Sequence, residues 1–229
     1  MNSSRRQFAL NGSALAAAAA FTSLPAFATN ASEAKGIVDR SRATVNSFAA
    51  NADFASVGPA LGRARGVLIF PQVLRAGFVL GGSGGTGVLM VRDEKTGAWS
   101  GPAFYTMGSA SLGFQAGASS AEMLMVINSQ SALDSMLTSR LRLGGDASVA
   151  LGPQGAGTGA SITADFIVYA RARGVFAGIS VDGAVLSVRE SLNTAFFGKP
   201  ATPADILVTR TVSNPASAGL ATALKKATK

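Results

Sequence analysis

Gly82-Ser83-Gly84-Gly85-Thr86-Gly87 is a literal G-x-G-x-x-G, the spacing with which a strand-to-helix turn cradles a dinucleotide pyrophosphate. That chemistry needs a strand before the glycines, a helix after them and an acid about 20 residues further on. An apolar strand precedes the cluster, but Val88-Leu89-Met90-Val91 has strand rather than helix character. Asp93 and Glu94 come too soon for the ribose contact and Glu122 too late. Dinucleotide binding is therefore not expected. A P-loop fails as well, because no Gly-Lys-Ser/Thr follows.

Other catalytic sets meet a harder limit. The chain has neither His nor Cys, which removes the Ser-His-Asp triad, a thiol nucleophile and His/Cys zinc sites. Ser32-Glu33-Ala34-Lys35 and Lys95-Thr96-Gly97 are fragments of a serine β-lactamase pattern, but its Ser-Asp-Asn element is missing. A helix cap and a hairpin turn explain the two fragments better. The twelve acids form no D-x-D-x-D-G calcium loop. Asp146 and Asp165 would have to meet in space to act together, and solvated or capping roles are the commoner fate of such acids. The reading is of a non-catalytic protein without a cofactor or metal.

The first 28 residues read as an export signal. Ser4-Arg5-Arg6-Gln7-Phe8 is a twin-arginine pattern, followed by the Ala-rich run Ala14 to Phe21 and by Ala26-Phe27-Ala28, an A-x-A cleavage site. A Sec-type or membrane-retained signal is the alternative, whereas a lipid-anchored form lacks the Cys it needs. The expected location is periplasmic, with one domain over residues 29–229. Loss of Arg5 and Arg6, and of no acid, takes the net charge from +8 to +6. That sign favours anionic partners. No aromatic-interleaved basic stripe appears, so nucleic acid is not an expected partner.

Around these residues the spacing predicts an N-terminal helix over Glu33 to Ala50, capped by Ser32, and a short one over Pro59 to Ala64. Strands follow: Val67 to Phe70, stopped by Pro71; Gly77 to Leu80; Gly87 to Arg92; then a turn at Asp93–Gly97. Further strands are expected at Ala98 to Ser100 and Ala103 to Thr106, broken by Gly101-Pro102, and at Leu112 to Ala118 and Glu122 to Ile127. A central helix capped by Ser129 or Ser131 would carry Leu133, Met136, Leu137 and Leu141. Asp146 to Leu151 reads as strand. Ile162 to Ala170, Val175 to Val181 and Ala184 to Arg189 read as a closing meander. Thr202 to Leu207 and Ala216 to Ala227 read as terminal helices. The fold class is α+β: a Gly-rich, largely antiparallel curved β-sheet flanked by N-terminal, central and C-terminal helices.

Several blocks then resemble the SYLF domain family. They are Ala64-Arg65-Gly66-Val67-Leu68-Ile69-Phe70-Pro71 running into Arg75-Ala76-Gly77-Phe78; Trp99-Ser100-Gly101-Pro102-Ala103-Phe104-Tyr105; Gly113-Phe114-Gln115-Ala116-Gly117; Gly152-Pro153; Gly174 to Ser180 with Gly183-Ala184; and Asn193 to Gly198. They occur in family order over about residues 33–200. Departures include Arg75 where Lys is frequent, Phe196-Phe197 where two Tyr are frequent, and Tyr169-Ala170-Arg171 where Ser commonly follows the Tyr. The resemblance implies a lipid-binding module. Eukaryotic members bind phosphoinositides and, in fungi, actin filaments, with membrane contact attributed to a basic amphipathic segment matching Lys35 to Phe48.

The expected partner is a phospholipid or membrane surface; a protein partner is unknown. The candidate headgroup contacts are Arg40, Arg42, Arg63, Arg65 and Arg75, since guanidinium groups pair with phosphate in a fork. Trp99, Phe104 and Tyr105 are the candidate acyl contacts, although core burial is the commoner role of such aromatics. The alternative is a structural or interaction protein of the cell envelope that self-assembles or binds a protein.

Overall fold

The computed structural model describes residues 26–77, 80–112, 117–138, 140–152, 164–174, 181 and 183–228. Helix α1 (Ala26–Ala49) leads through a single 3-10 turn at Ala52–Phe54 to α2 (Val57–Arg63). Four long strands follow: β1 (Gly66–Gly77), β2 (Leu80–Arg92), β3 (Trp99–Leu112) and β4 (Gly117–Ile127). Then come α3 (Gln130–Met136), β5 (Arg140–Arg142), β6 (Val149–Leu151), β7 (Phe166–Gly174), β8 (Val185–Val188), α4 (Glu190–Phe197), α5 (Pro203–Leu207) and α6 (Ala218–Ala227). The strands form one curled sheet in the order β5-β8-β3-β2-β1-β4-β7-β6. Every pair is antiparallel except β6 with β7. The α+β class expected from the sequence is what the chain adopts.

Both faces of the near half of this sheet are buried, which is why its strands read as continuous apolar runs. Val67, Ile69, Val88, Met90, Phe104, Leu124, Val126, Ile167 and Tyr169 point to one face, where they pack on Ile37, Val45 and Phe48 of α1, Leu61 of α2, Leu192 and Phe196 of α4 and Leu220 and Leu224 of α6. Leu68, Phe70, Leu89, Tyr105, Met123, Met125, Phe166 and Val168 point to the other, against Leu133 and Met136 of α3 and Ile206 and Leu207 of α5. Each such side chain contributes about 1.5–3 kcal/mol by leaving water. With no Cys in the chain, these two layers hold the fold without disulfides.

Local signals placed several elements correctly. Ser129 accepts from the Ala132 N–H at 3.1 Å and starts α3. Thr202 and Asp205 form a capping box around Pro203 at the start of α5. Asp93 accepts from Thr96 N–H at 2.8 Å and closes the β2–β3 turn, with Gly97 at φ 68°. Thr96, and then Lys95 more weakly, hold its carboxyl below the usual range.

Other expectations are corrected. Ser32 does not cap α1, which begins six residues earlier because nothing from Ala26 to Ala31 breaks a helix. Pro71 does not end its strand. The ladder shifts register between Phe70 and Val73 against β4 and between Ile69 and Leu74 against β2, so Pro71 lies in a bulge, where its missing N–H costs no ladder bond. The cis Gly101-Pro102 pair likewise sits in an irregularity inside β3 rather than between two strands. Leu141 belongs to β5, not to the central helix. The closing meander is corrected in its described parts: β7 pairs with β4, and β8 pairs with β3 on the far side of the sheet. The strand expected over Val175 to Val181 lies, apart from Val181, outside the described residues, as does the export signal before Ala26. Helix α4 escaped the sequence reading because Arg189 at its start provides no side-chain cap.

Candidate functional site

The glycine cluster lies inside β2, not in a turn before a helix. Its members divide by pleat. Gly85 and Gly87 face the α3 side, where a Cβ would lie 2.3 Å from the Gln72 and Ile69 carbonyl oxygens respectively, and 2.6 Å from the Phe70 ring in the case of Gly87. These two glycines admit the bulged β1 backbone. Gly82 and Gly84 face the α1 side, beyond the reach of the helices.

On that face, register pairing assembles rows of small and polar residues across the far half of the sheet. One row runs Arg140, Ser187, Thr106, Thr86 over β5, β8, β3 and β2. The next runs Arg142, Val185, Gly108, Gly84, Leu74, Ser120 from β5 to β4. The third is Ala110, Gly82, Ala76, Ala118. Leu74 stands in the middle of this floor and is 56% exposed. Among the described residues only Leu151 and Val208 are comparably exposed large apolar side chains.

Arginines border the floor. Arg140 and Arg142 line an open groove of about 630 Å³ with Thr106, Gly108, Val185 and Ser187. Across the sheet, Arg40 of α1 and Arg171 of β7 border a groove of about 250 Å³ with Gln72, Ser120 and Glu122. Arg171 is ion-paired to its register partner Glu122 and lies 5.8 Å from the Phe48 ring centroid. Arg189 ties the floor to the helices: one amino group donates to Thr86 Oγ1 at 3.1 Å, and the other is 3.4 Å from Glu33 Oε1 of α1. The face therefore sets one exposed leucine in a low-relief floor of glycine, alanine and hydroxyl side chains, with arginines at its margins.

The residues expected from sequence converge only in part. Arg40 borders this face. Arg42 packs on Gly219 of α6, 3.1 Å from where a Cβ would stand. Arg63 ends α2, beside the C-terminus of α6, whose Thr228 carbonyl faces Gly62. Arg65 is ion-paired to Glu94 and donates to Gln130 Oε1 at 3.0 Å, at the other end of the strands. Arg75 is a register partner of Ser83 and Ser119, on the opposite face. The aromatics are corrected outright: Trp99 and Phe104 fill the α1-side core, and Tyr105 fills the other. They line no common groove, because neighbours along a strand point to opposite faces. The Tyr105 hydroxyl donates to the Met136 carbonyl, and burial pushes its pKa far above the ordinary value.

Sequence reasoning missed Arg140, Arg142, Arg171 and Arg189. Arg140-Leu141-Arg142 alternates as a strand does, but Leu141 also continues the four-residue helical spacing of Leu133 and Leu137. The two acids singled out earlier are structural. Asp146 accepts from the Arg142 N–H at 2.7 Å. Asp165 accepts from Ser129, and from Ser148 N–H at 2.9 Å and Oγ–H at 2.7 Å; these bonds hold its carboxyl below the usual range, Ser129 first.

The chain is thus a curled, largely antiparallel sheet covered by helices on both faces at one end, with arginine-bordered rows of small and polar residues at the other. The chain belongs to the Ysc84 family, described as Las17-binding protein actin regulator, whose model matches residues 108–227, just over half of it; this is the SYLF family of the sequence resemblance. It is 34% identical over 164 residues to Protein YSC84 of Saccharomyces cerevisiae, covering 69% of this chain and 35% of that protein. To LAS seventeen-binding protein 3 of the same yeast it is 34% identical over 163 residues, covering 68% and 35%. To SH3 domain-containing YSC84-like protein 1 of Bos taurus it is 30% identical over 152 residues, covering 64% and 44%. The chain thus spans less than half the length of these relatives. Their names are those of binding and regulatory proteins. No solved structure matches it.

Proposed function

We propose that this protein binds phospholipid, without catalysis, on the open half of the α1-side sheet face. The observation that carries the reading is Leu74, 56% exposed on a floor of Gly82, Gly84, Gly108, Ala110 and Ala118. Leu74 on this low-relief, side-chain-poor surface offers a place where an acyl chain can lie and cover it from water, and the bordering Arg40, Arg140 and Arg142 supply what an anionic headgroup needs. The family resemblance supports the same reading. The twin-arginine segment and its A-x-A site support export, so the ligand would be an envelope lipid met in the periplasm. Among the described residues no helix is long and apolar enough to cross a membrane, which favours surface contact or carriage of single lipids.

The alternative, an interaction protein, draws on LAS seventeen-binding protein 3, named for a protein partner. The short edge strands β5 and β6, three residues each, offer little ladder to a partner strand, so lipid is the preferred reading. Vesicle pelleting decides. Binding to anionic vesicles at low salt, lost on Gly108→Val, is the expected result. No pelleting with any vesicle, together with a cross-linked oligomer in lipid-free buffer, would reverse the preference.

A further inference from the structure

We infer that the β5–β8–β3 end of the open face is a phosphomonoester site, with Arg140 and Arg142 as its cations and Thr106 and Ser187 as its hydroxyl donors. This rests on the lipid-binding reading above and deepens it by assigning the headgroup and its place.

Four observations point to this end of the sheet. First, Arg140 and Arg142 are two residues apart on one strand, with buried Leu141 between them pointing away. Their Cα atoms are therefore about 6.7 Å apart on one face, close enough for two guanidinium forks to bracket a single phosphorus. Second, Ser187 is the register partner of both Arg140 and Thr106, so two hydroxyls stand beside the arginines in consecutive strands. Third, among the described residues no atom lies within 4 Å of a Cβ position at Gly108 or Gly183, which line the same groove; this leaves room for a tetrahedral anion. Fourth, neither arginine is in an ion pair among the described residues. The nearby carboxylate of Asp146 is engaged by the Arg142 backbone N–H at 2.7 Å.

The opposite margin differs. Arg171 is already matched by Glu122. Arg140 and Arg142, side by side and in no ion pair among the described residues, place the headgroup at β5. From there the row Gly108, Gly84, Leu74 leads an acyl chain across the sheet.

Acceptor geometry selects the headgroup class. A phosphomonoester carries about −1.5 to −2 near neutral pH and offers three free oxygens to two guanidinium forks and two hydroxyls, whereas a phosphodiester offers only two and a single charge. A phosphatidate-type lipid and a free phosphomonoester share this chemistry, and the test separates them.

The full chain and its Arg140→Ala/Arg142→Ala variant would be pelleted with phosphatidylcholine vesicles doped with phosphatidate or with phosphatidylglycerol. Each protein would also be titrated with glycerol 3-phosphate, and thermal unfolding would check that the variant folds. The expected result is preference for phosphatidate, weakened about tenfold or more in the variant, the factor a single lost charge-assisted hydrogen bond produces. Competition by glycerol 3-phosphate for the phosphatidate vesicles is also expected. A folded variant that keeps the full preference overturns the assignment. Equal pelleting with both anionic lipids, unaffected by the double substitution, also overturns it and leaves the lipid-binding reading standing. Binding of glycerol 3-phosphate that is lost in the variant, with no pelleting by any vesicle, supports the phosphomonoester site and removes the lipid. Absence of both removes the site and the lipid reading together.

Discussion

Glu122 of β4 and Arg171 of β7 are register partners, and their side chains form an ion pair, each about a quarter exposed, beside Arg40 of α1. The pair matches the Arg171 charge at one margin of the face, while Arg140 and Arg142 at the other are in no ion pair among the described residues. Glu122→Gln is expected to release the Arg171 charge. Stability should fall by about 1 kcal/mol, the upper range for a partly exposed pair, read as a lower urea midpoint. Affinity for anionic vesicles should rise about fivefold, the gain from one cation near such a surface. A variant that binds vesicles less well would contradict the placement of this margin.

Glycines on the two faces of β2 and β3 should respond oppositely to a side chain. Gly87→Ala puts a methyl group 2.3 Å from the Ile69 carbonyl oxygen and 2.6 Å from the Phe70 ring. The expected cost is about 3 kcal/mol, the upper range for forced overpacking, in a denaturant titration. Gly108→Val enters open space in a strand, where a β-branched residue is favoured. Its midpoint should change little, while the raised floor should abolish vesicle binding.

Tyr105 should stay protonated through mild alkali. Burial raises its folded-state pKa above the unfolded value of about 10. The stability it contributes is full below pH 10 and declines as pH rises above it, because the unfolded chain releases its proton first. An ultraviolet titration should show its phenolate appearing only with loss of near-ultraviolet circular dichroism. Tyr105→Phe should cost about 1 kcal/mol through the bond to Met136.

Asp165 joins the start of α3 to the approach to β6 through Ser129 and Ser148. Its depressed pKa means that its contribution is present above the unfolded value of about 4 and is lost as pH falls through the folded value. Asp165→Asn should destabilise by about 1–2 kcal/mol at neutral pH. The gap from the parent protein should narrow at strongly acidic pH. A gap independent of pH would show that the carboxylate charge is not what the serines hold.

The elements legible in the sequence were those with local causes. Ser129 and Thr202 mark their helices because caps act within three residues, and Asp93 to Gly97 marks its hairpin for the same reason. The apolar spacing from Ala34 to Phe48 located the buried stripe of α1. Pro71 and Gly101-Pro102 misled, because a bulge is a property of paired strands and not of one segment. The corrected meander has a similar origin: nothing within β7 or β8 states that one will pair with β4 and the other with β3.

By itself, the sequence determined the α+β class and its family, and it excluded triad, thiol and His/Cys-metal chemistry, because composition and block order are properties of a chain. It also held the fate of the glycine cluster, since Val88 to Val91 could not continue a phosphate-binding turn as a helix. Only the tertiary structure decided which arginines stand together. Arg65 spends its charge on Glu94, Arg75 lies on the opposite face, and the aromatics from Trp99 to Tyr105 are divided between two cores. Arg142, more than fifty residues from Gly84 in sequence, shares a row with Gly84 and Gly108, and Arg140 shares one with Thr86 and Thr106, because strand order brings β5 and β8 beside β3. A strand's own residues fix which side chains share a face, but only pairing fixes what lies beside them.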